Sequence, residues 1–158
     1  MKIRQFHEAD FETILEITLR AFTPIHESFQ GLLGDDIFNL IYPDWRAGYR
    51  EYLSSLSTDE KENFLVADED GTVVGYVLFS TNMEKKSGEL GLNCVDPDYQ
   101  NKGIGHKLYD EVLSRMKENG IALVEVATGG DASHAPARRA YEKVGFTALP
   151  LVRYYKAL

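Results

Sequence analysis

The chain has 158 residues, 44% hydrophobic and 27% charged, and a net charge of −8. That is the profile of one water-soluble domain large enough for its own core. The acidic balance argues against a nucleic-acid partner, which wants a basic face, and tilts weakly toward a cationic one.

Cysteine and histidine usage narrows the class further. One cysteine, Cys94, leaves no internal disulfide and no thiolate metal cluster. His7, His26, His106 and His134 are scattered without metal-ligand spacing, so no metal is expected. The start Met1-Lys2-Ile3-Arg4 has no apolar leader, and no run reaches the roughly 18 apolar residues of a membrane span. A cytoplasmic setting without membrane contact is the expectation.

Residues 2 to 6 suit a short first strand. From Ala9 to Phe22 the positions Phe11, Ile14, Leu15, Ile17, Leu19 and Phe22 predict a helix capped by Asp10. A second helical stretch covers about Asp35 to Leu53, interrupted near Pro43. Phe64 to Ala67 and Val73 to Ser80 predict a hairpin around Asp68-Glu69-Asp70-Gly71. Gly88 to Val95 reads as a fourth strand. On it Glu89 shares a face with Gly91, Asn93 and Val95, while Leu90, Leu92 and Cys94 take the other. Gly103 to Asn119 predicts a helix with Ile104, Leu108, Val112, Leu113 and Met116 on one face, stopped by Gly120. Ile121 to Ala127 is an apolar strand broken only by Glu125. A short helix follows, with Pro136 in its first turn and Gly145 beyond its end. Closing strands are expected at Thr147 to Pro150 and Leu151 to Tyr155.

The densest chemistry lies between Val95 and Leu108. An apolar strand ends, Pro97 marks a turn, and Gln100-Asn101-Lys102-Gly103-Ile104-Gly105-His106-Lys107 opens a helix. Free backbone N–H groups and a helix N-terminus meet there, which suits a phosphate or pyrophosphate. Lys102 and Lys107 add positive charge. A dinucleotide fingerprint would need a third glycine where Leu108 stands, and a Walker loop would need Lys then Ser or Thr directly after Gly105; both fail.

What matches is Gln-x-x-Gly-x-Gly after a strand, and this resembles the acetyl-CoA loop of the GNAT superfamily of N-acetyltransferases. A second segment, His134-Ala135-Pro136-Ala137-Arg138-Arg139-Ala140-Tyr141-Glu142-Lys143-Val144-Gly145-Phe146, looks like that family's Asn-x-x-Ala-x-x-x-Tyr-Glu-Lys-x-Gly-Phe signature. One letter departs: His134 stands where the family has Asn. The resemblance spans nearly the whole chain and implies a GNAT-like mixed α/β fold, with a mostly antiparallel sheet splayed in the middle and flanked by helices. It also implies a single N-acetyltransferase domain over residues 1–158.

The same resemblance implies roles. Acetyl-CoA would be the cosubstrate, its pyrophosphate on the amides of Gln100 to Lys107. Its pantetheine would lie against Asn93, Cys94 and Val95 of the splayed strand and against His134. Tyr141 would be the general acid toward the leaving thiolate, its phenol near pKa ~10 matching a thiolate of similar basicity. Acetyl transfer also needs something to deprotonate the amine. Glu89 and Glu125, set in apolar strands where burial would raise their pKa, are the candidates, with Glu89 preferred and water a third possibility. Cys94 has no activating base beside it and reads as a small buried filler.

The acceptor belongs to Phe22 to Tyr52, rich in aromatics (Phe22, Phe29, Phe38, Tyr42, Trp45, Tyr49, Tyr52) and in acids (Glu27, Asp35, Asp36, Asp44, Glu51). That wall suits a small ammonium-bearing acceptor ahead of a protein, although the same rings could be a helix packing on the sheet. A homodimer is left open. The competing readings are a non-catalytic acyl-CoA sensor and an interaction module on the same fold. The sensor would keep Gln100 to Gly105 and His134 yet make no use of Glu89, Glu125 or Tyr141, and the interaction module would have no need of Gly103 and Gly105.

Overall fold

The computed structural model describes residues 1–158. Five strands lie side by side in chain order: β1 Lys2–Gln5, β2 Phe64–Glu69, β3 Thr72–Asn82, β4 Ser87–Val95 and β5 Leu123–Val126. β1 to β4 pair antiparallel, and β5 runs parallel to β4. A parallel neighbour needs a long crossover, here supplied by α4, Ile104–Glu118. The result is the mixed α/β sheet with flanking helices expected from the sequence.

Each face of the sheet has its own core. On one, Ile14, Leu15 and Ile17 of α1 (Phe11–Ile41) and Leu53 of α2 (Trp45–Ser54) pack on Phe64, Val66, Tyr76 and Leu78. On the other, Leu108, Val112 and Met116 of α4 and Tyr141 of α5 (Ala135–Lys143) cover Leu65, Val77 and Leu90. Ile14 and Ile17 are at most 2% exposed, and each such burial contributes roughly 1.5–3 kcal/mol. No helix is long and apolar enough to cross a membrane.

Several expectations are corrected. Helix α1 continues past Phe22 through Pro24 and kinks at Gly34 (φ 73°), so the first and second predicted helices meet inside one element. The interruption near Pro43 is real: α1 ends at Ile41 and α2 begins at Trp45, its cap formed by Asp44 accepting from Ala47 N–H at 3.0 Å. Asp10 does not cap α1 through its side chain. It chelates Arg4 at 2.8 and 2.9 Å and accepts from His7 N–H. A short helix α3, Thr58–Glu62, was not expected; Ser57 and Glu60 form a capping box ahead of it.

The closing strands are absent. Residues 147–158 form no strand and are exposed, with Leu149, Leu151 and Val152 at 76–83%. Strand-forming side chains make a strand only beside another backbone, and the last backbone hydrogen bond of the chain is Phe146 N–H to Tyr141 O. Pro150 also removes one donor from the middle of the stretch.

The correction that matters most lies in β4. Val77 pairs with Asn93 but Phe79 with Leu90, so β4 carries one extra residue around Gly91 and Leu92. That bulge reverses the alternation. Leu90, Asn93 and Val95 lie toward α4 and α5, while Leu92 and Cys94 pack toward α1 and α2. Glu89, opposite in sense to Leu90, is on the α1–α2 face, not with Asn93 and Val95 as simple alternation predicted.

Candidate active site

The bulge marks where the sheet opens. β5 pairs with β4 only over Ser87–Leu90, and from Gly91 to Val95 β4 has no strand on that side. A cleft of about 1580 Å³ fills the gap, bounded by β4, the start of α4, α5 and the α1–α2 aromatic wall. Of the residues expected at a site, Glu89, Asn93, Cys94, Val95, Gln100, Asn101, Gly103, Ile104, Gly105, His106, His134 and Tyr141 line it. Glu125, Lys102 and Lys107 do not.

The loop into α4 is built for close approach by an anion. Gly103 takes the left-handed conformation (φ 78°) that a side chain resists, and the first intrahelical bond runs from Lys107 N–H to Gly103 O at 3.2 Å. The amides of Ile104, Gly105 and His106 therefore precede any helical acceptor and carry the positive end of the dipole. Ile104, 3% exposed in the core, pins the turn. Gln100 Nε2 holds the incoming strand by donating to Val95 O at 3.2 Å. Lys102 is turned away, its Nζ 4.5 Å from the Tyr99 ring centre.

Tyr141, 7% exposed, stands on the other side of the gap. Its Oη accepts from Asn93 Nδ2 at 3.2 Å, and Asn93 Oδ1 is occupied by the Tyr109 hydroxyl at 2.7 Å. The Tyr141 hydroxyl also lies 3.3 Å from Asn93 Oδ1, an acceptor it shares with the shorter bond from Tyr109, so its proton is only loosely held and can turn toward the cleft. Burial raises the Tyr141 pKa, partly offset by the hydrogen bonds from Asn93 and Tyr109. The phenol is thus protonated at any ordinary pH. Tyr109 was missed by sequence reading; its only signal is its place one turn after Gly105, on the α4 face that meets the sheet.

His134 has a built surround of its own. Its Nδ1 lies 2.6 Å from Asp131 Oδ1, with the two side chains 12% and 10% exposed. Asp131 also accepts from Ser28 Oγ of α1 at 2.6 Å, from Ser133 N–H at 3.2 Å and from Ser133 Oγ. Burial alone would push the Asp131 carboxyl up, but the hydrogen bonds from Ser133, Ser28 and His134 reverse this and hold it well below the usual carboxylate range. Phe29 stacks on the imidazole with ring centres 5.4 Å apart.

The two candidate carboxylates are register partners, Glu89 beside Glu125 on β4 and β5. Both are exposed, so the burial expected of them is missing; their strand neighbours are apolar, but they point outward. The expected acidic wall is thinner than the sequence suggested. Asp44 and Glu51 line the cleft, and Glu27, Asp35 and Asp36 do not. The aromatics form a packed cluster instead. His26, 4% exposed, stacks on Trp45 at 4.2 Å with Tyr42 and Tyr49 edge-on. Burial, then Arg46 and His134, lower its pKa to about 4, so it is neutral at pH 7. The Cys94 thiol is buried against Tyr76 and Thr18 and burial pushes it up to about 12, the state of a packing residue. No group of three His, Cys, Asp or Glu side chains is placed to hold a metal ion.

A sheet opened beside a bulge, a helix N-terminus aimed into the opening and a buried tyrosine across from it make up the candidate site. The chain belongs to the acetyltransferase (GNAT) family, whose profile matches residues 34–146 and whose members are acetyl-CoA-dependent N-acetyltransferases. It is 25% identical over 152 residues to the mycothiol acetyltransferase of Propionibacterium freudenreichii subsp. shermanii, covering 94% of this chain and 44% of that one. It is 35% identical over 95 residues to the N-alpha-acetyltransferase RimI of Mycobacterium tuberculosis, covering 59% and 57%. The chain thus spans about half the length of these curated relatives. Among solved structures, the PaiA N-acetyltransferase of Thermoplasma acidophilum in complex with coenzyme A superposes with a TM-score of 0.68 at 21% identity, over 92% of this chain and 89% of that one. That likeness bears out the fold.

Proposed function

We propose that residues 1–158 act as one acetyltransferase domain that moves an acetyl group from acetyl-CoA to a small-molecule amine by direct attack in a ternary complex. The observation that carries this reading is the meeting of Tyr141 and the start of α4 across one cleft, at the open edge of β4. The amides of Ile104, Gly105 and His106 receive the pyrophosphate. The extended β4 edge from Gly91 to Val95 offers free backbone groups to the pantetheine, and an amide of Asn93, Cys94 or Val95 steadies the oxyanion that forms at the thioester carbonyl.

The proton flow follows. A neutral amine attacks the carbonyl carbon, the C–S bond breaks, and the thiolate takes its proton from Tyr141 Oη. Asn93 Nδ2, donating to that same oxygen, stabilises the phenolate left behind until it is reprotonated. The amine gives up its proton to water at the cleft mouth, where Glu89, which lines the cleft, is the preferred candidate base; Glu125, its partner on β5, is the second. Their exposure favours relay through solvent over direct contact. Glu51 and Glu89 at the mouth and the close-packed rings of α1 and α2 behind it suit a compact cationic acceptor.

Release of free thiol from acetyl-CoA, followed over a panel of small amines and lysine peptides, tests this. Turnover with small amines that falls about a hundredfold in Tyr141→Phe supports the reading. Acceptance of peptides alone contradicts the small-molecule assignment, and unchanged turnover in Tyr141→Phe removes that side chain from its role.

A further inference from the structure

An imidazole replaces the family's asparagine at His134; in its neutral form it donates one hydrogen bond and accepts one, and its surroundings decide which nitrogen does which. A carboxylate only accepts, so the 2.6 Å contact with Asp131 Oδ1 places the His134 proton on Nδ1. Nε2 has no protein partner, and His134 lines the cleft. We propose that Asp131 is a positioning residue of the acetyl-CoA site, holding the Nδ1 proton of His134 so that Nε2 faces the cleft as a hydrogen-bond acceptor for an amide N–H of the pantetheine arm. This rests on the acetyl-CoA reading above.

Three observations set Asp131 apart from an ordinary loop acid. Its oxygens collect four donors, from Ser28, Ser133 (twice) and His134, so its orientation is fixed and it stays ionised. The loop is wound to permit this. A Cβ on Gly129 would come within 2.6 Å of Asp131 Oδ1 and closer still to His134 Nδ1, while Arg138 donates to Gly129 O and Asp131 O at 2.6 and 2.7 Å. Finally, Ser28 lies on α1, so the pair is tied across the cleft to the wall that carries Phe29.

Distance decides against the alternative, that His134 is the amine's general base. It precedes Tyr141 by two helical turns, roughly 10 Å along the axis. A base must come within about 3 Å of the proton it removes, or one water further. With the reacting carbon placed beside Tyr141 as in the reading above, this backbone offset sets His134 alongside the arm that leads to it.

The test combines NMR and a double-mutant cycle. ¹⁵N spectra of the free protein should show His134 as the Nδ1–H tautomer, lost in Asp131→Asn. Asp131→Asn should raise the acetyl-CoA Kd about tenfold and move KM with it, leaving kcat within about twofold. The same change made in His134→Asn should add almost nothing, because Asp131 acts through the imidazole. Ser28→Ala, which removes one donor, should give a smaller rise of the same kind and serves if Asp131→Asn does not fold. An Nε2–H tautomer in the wild type, an unchanged Kd in Asp131→Asn, or a full loss that persists in the His134→Asn background would each overturn the proposal. Failure of wild-type protein to bind acetyl-CoA would instead overturn the cofactor reading, and the positioning role with it.

Discussion

The two sides of the cleft are built on different principles. On the cofactor side, backbone makes the site: an unpaired strand edge, a left-handed Gly103 and the free amides at the start of α4. On the acceptor side, side chains make it: His26, Tyr42, Trp45 and Tyr49 stack on one another and leave little polar chemistry facing inward. Under the proposed function the first kind of surface takes what every substrate pair shares, the diphosphate and peptide-like arm of the cosubstrate. The second excludes by shape. A site that must hold one cofactor and one particular acceptor has reason to use both.

The comparison predicts that damage on the two sides separates cleanly. The largest effect should come from the backbone side. Gly105→Glu puts a carboxylate against the anion at the helix N-terminus and should weaken acetyl-CoA binding by about a hundredfold or more, seen as loss of ligand-induced thermal stabilisation. A retained Kd would place the pyrophosphate elsewhere. Trp45→Ala should do the reverse, raising the acceptor KM while acetyl-CoA affinity holds within about twofold; a matching loss of acetyl-CoA binding would erase the division.

How far the sequence carried the reading follows the same division. Gln100 to Gly105 and His134 to Phe146 were legible because a backbone conformation leaves its mark in letters: glycine where φ is positive, proline where an amide is dispensable. The bulge in β4 was not legible, since nothing in Gly91-Leu92 distinguishes an extra residue from ordinary alternation, and so Glu89 was put on the wrong face. Tyr109 and Asp131 were missed for a different reason. Tyr109 meets Asn93 across the sheet, and Asp131, though beside Ser133 and His134 in the chain, is fixed also by Ser28 of α1, a contact that exists only once the fold is assembled. The closing strands failed because local preference cannot supply a partner edge.

Smaller effects sharpen the account. Tyr109→Phe leaves Asn93 Oδ1 without its 2.7 Å donor and should cost about 1–3 kcal/mol of stability, with kcat falling less than in Tyr141→Phe; equilibrium unfolding and turnover on the same samples check both. His26 gives a pH signature. Its pKa is lowered in the folded state, from 6.5 to about 4, so folding is favoured above the unfolded value. That contribution is lost as pH falls from 6.5 toward 4. His26→Phe should flatten denaturant midpoints over this window, and an unchanged slope would mean that His26 is solvated. The smallest effect concerns Cys94. Its thiol, pushed up to about 12, should resist iodoacetamide in the native protein at pH 8, whereas rapid labelling would mean that the strand opens.

The most direct test of the central claim is the thermal midpoint measured with acetyl-CoA, with ATP and NAD as controls. The structure predicts a rise of several degrees with acetyl-CoA and almost none with the others, because only acetyl-CoA joins a diphosphate at α4 to an arm along β4. No rise at millimolar acetyl-CoA, or an equal rise with all three, would contradict it.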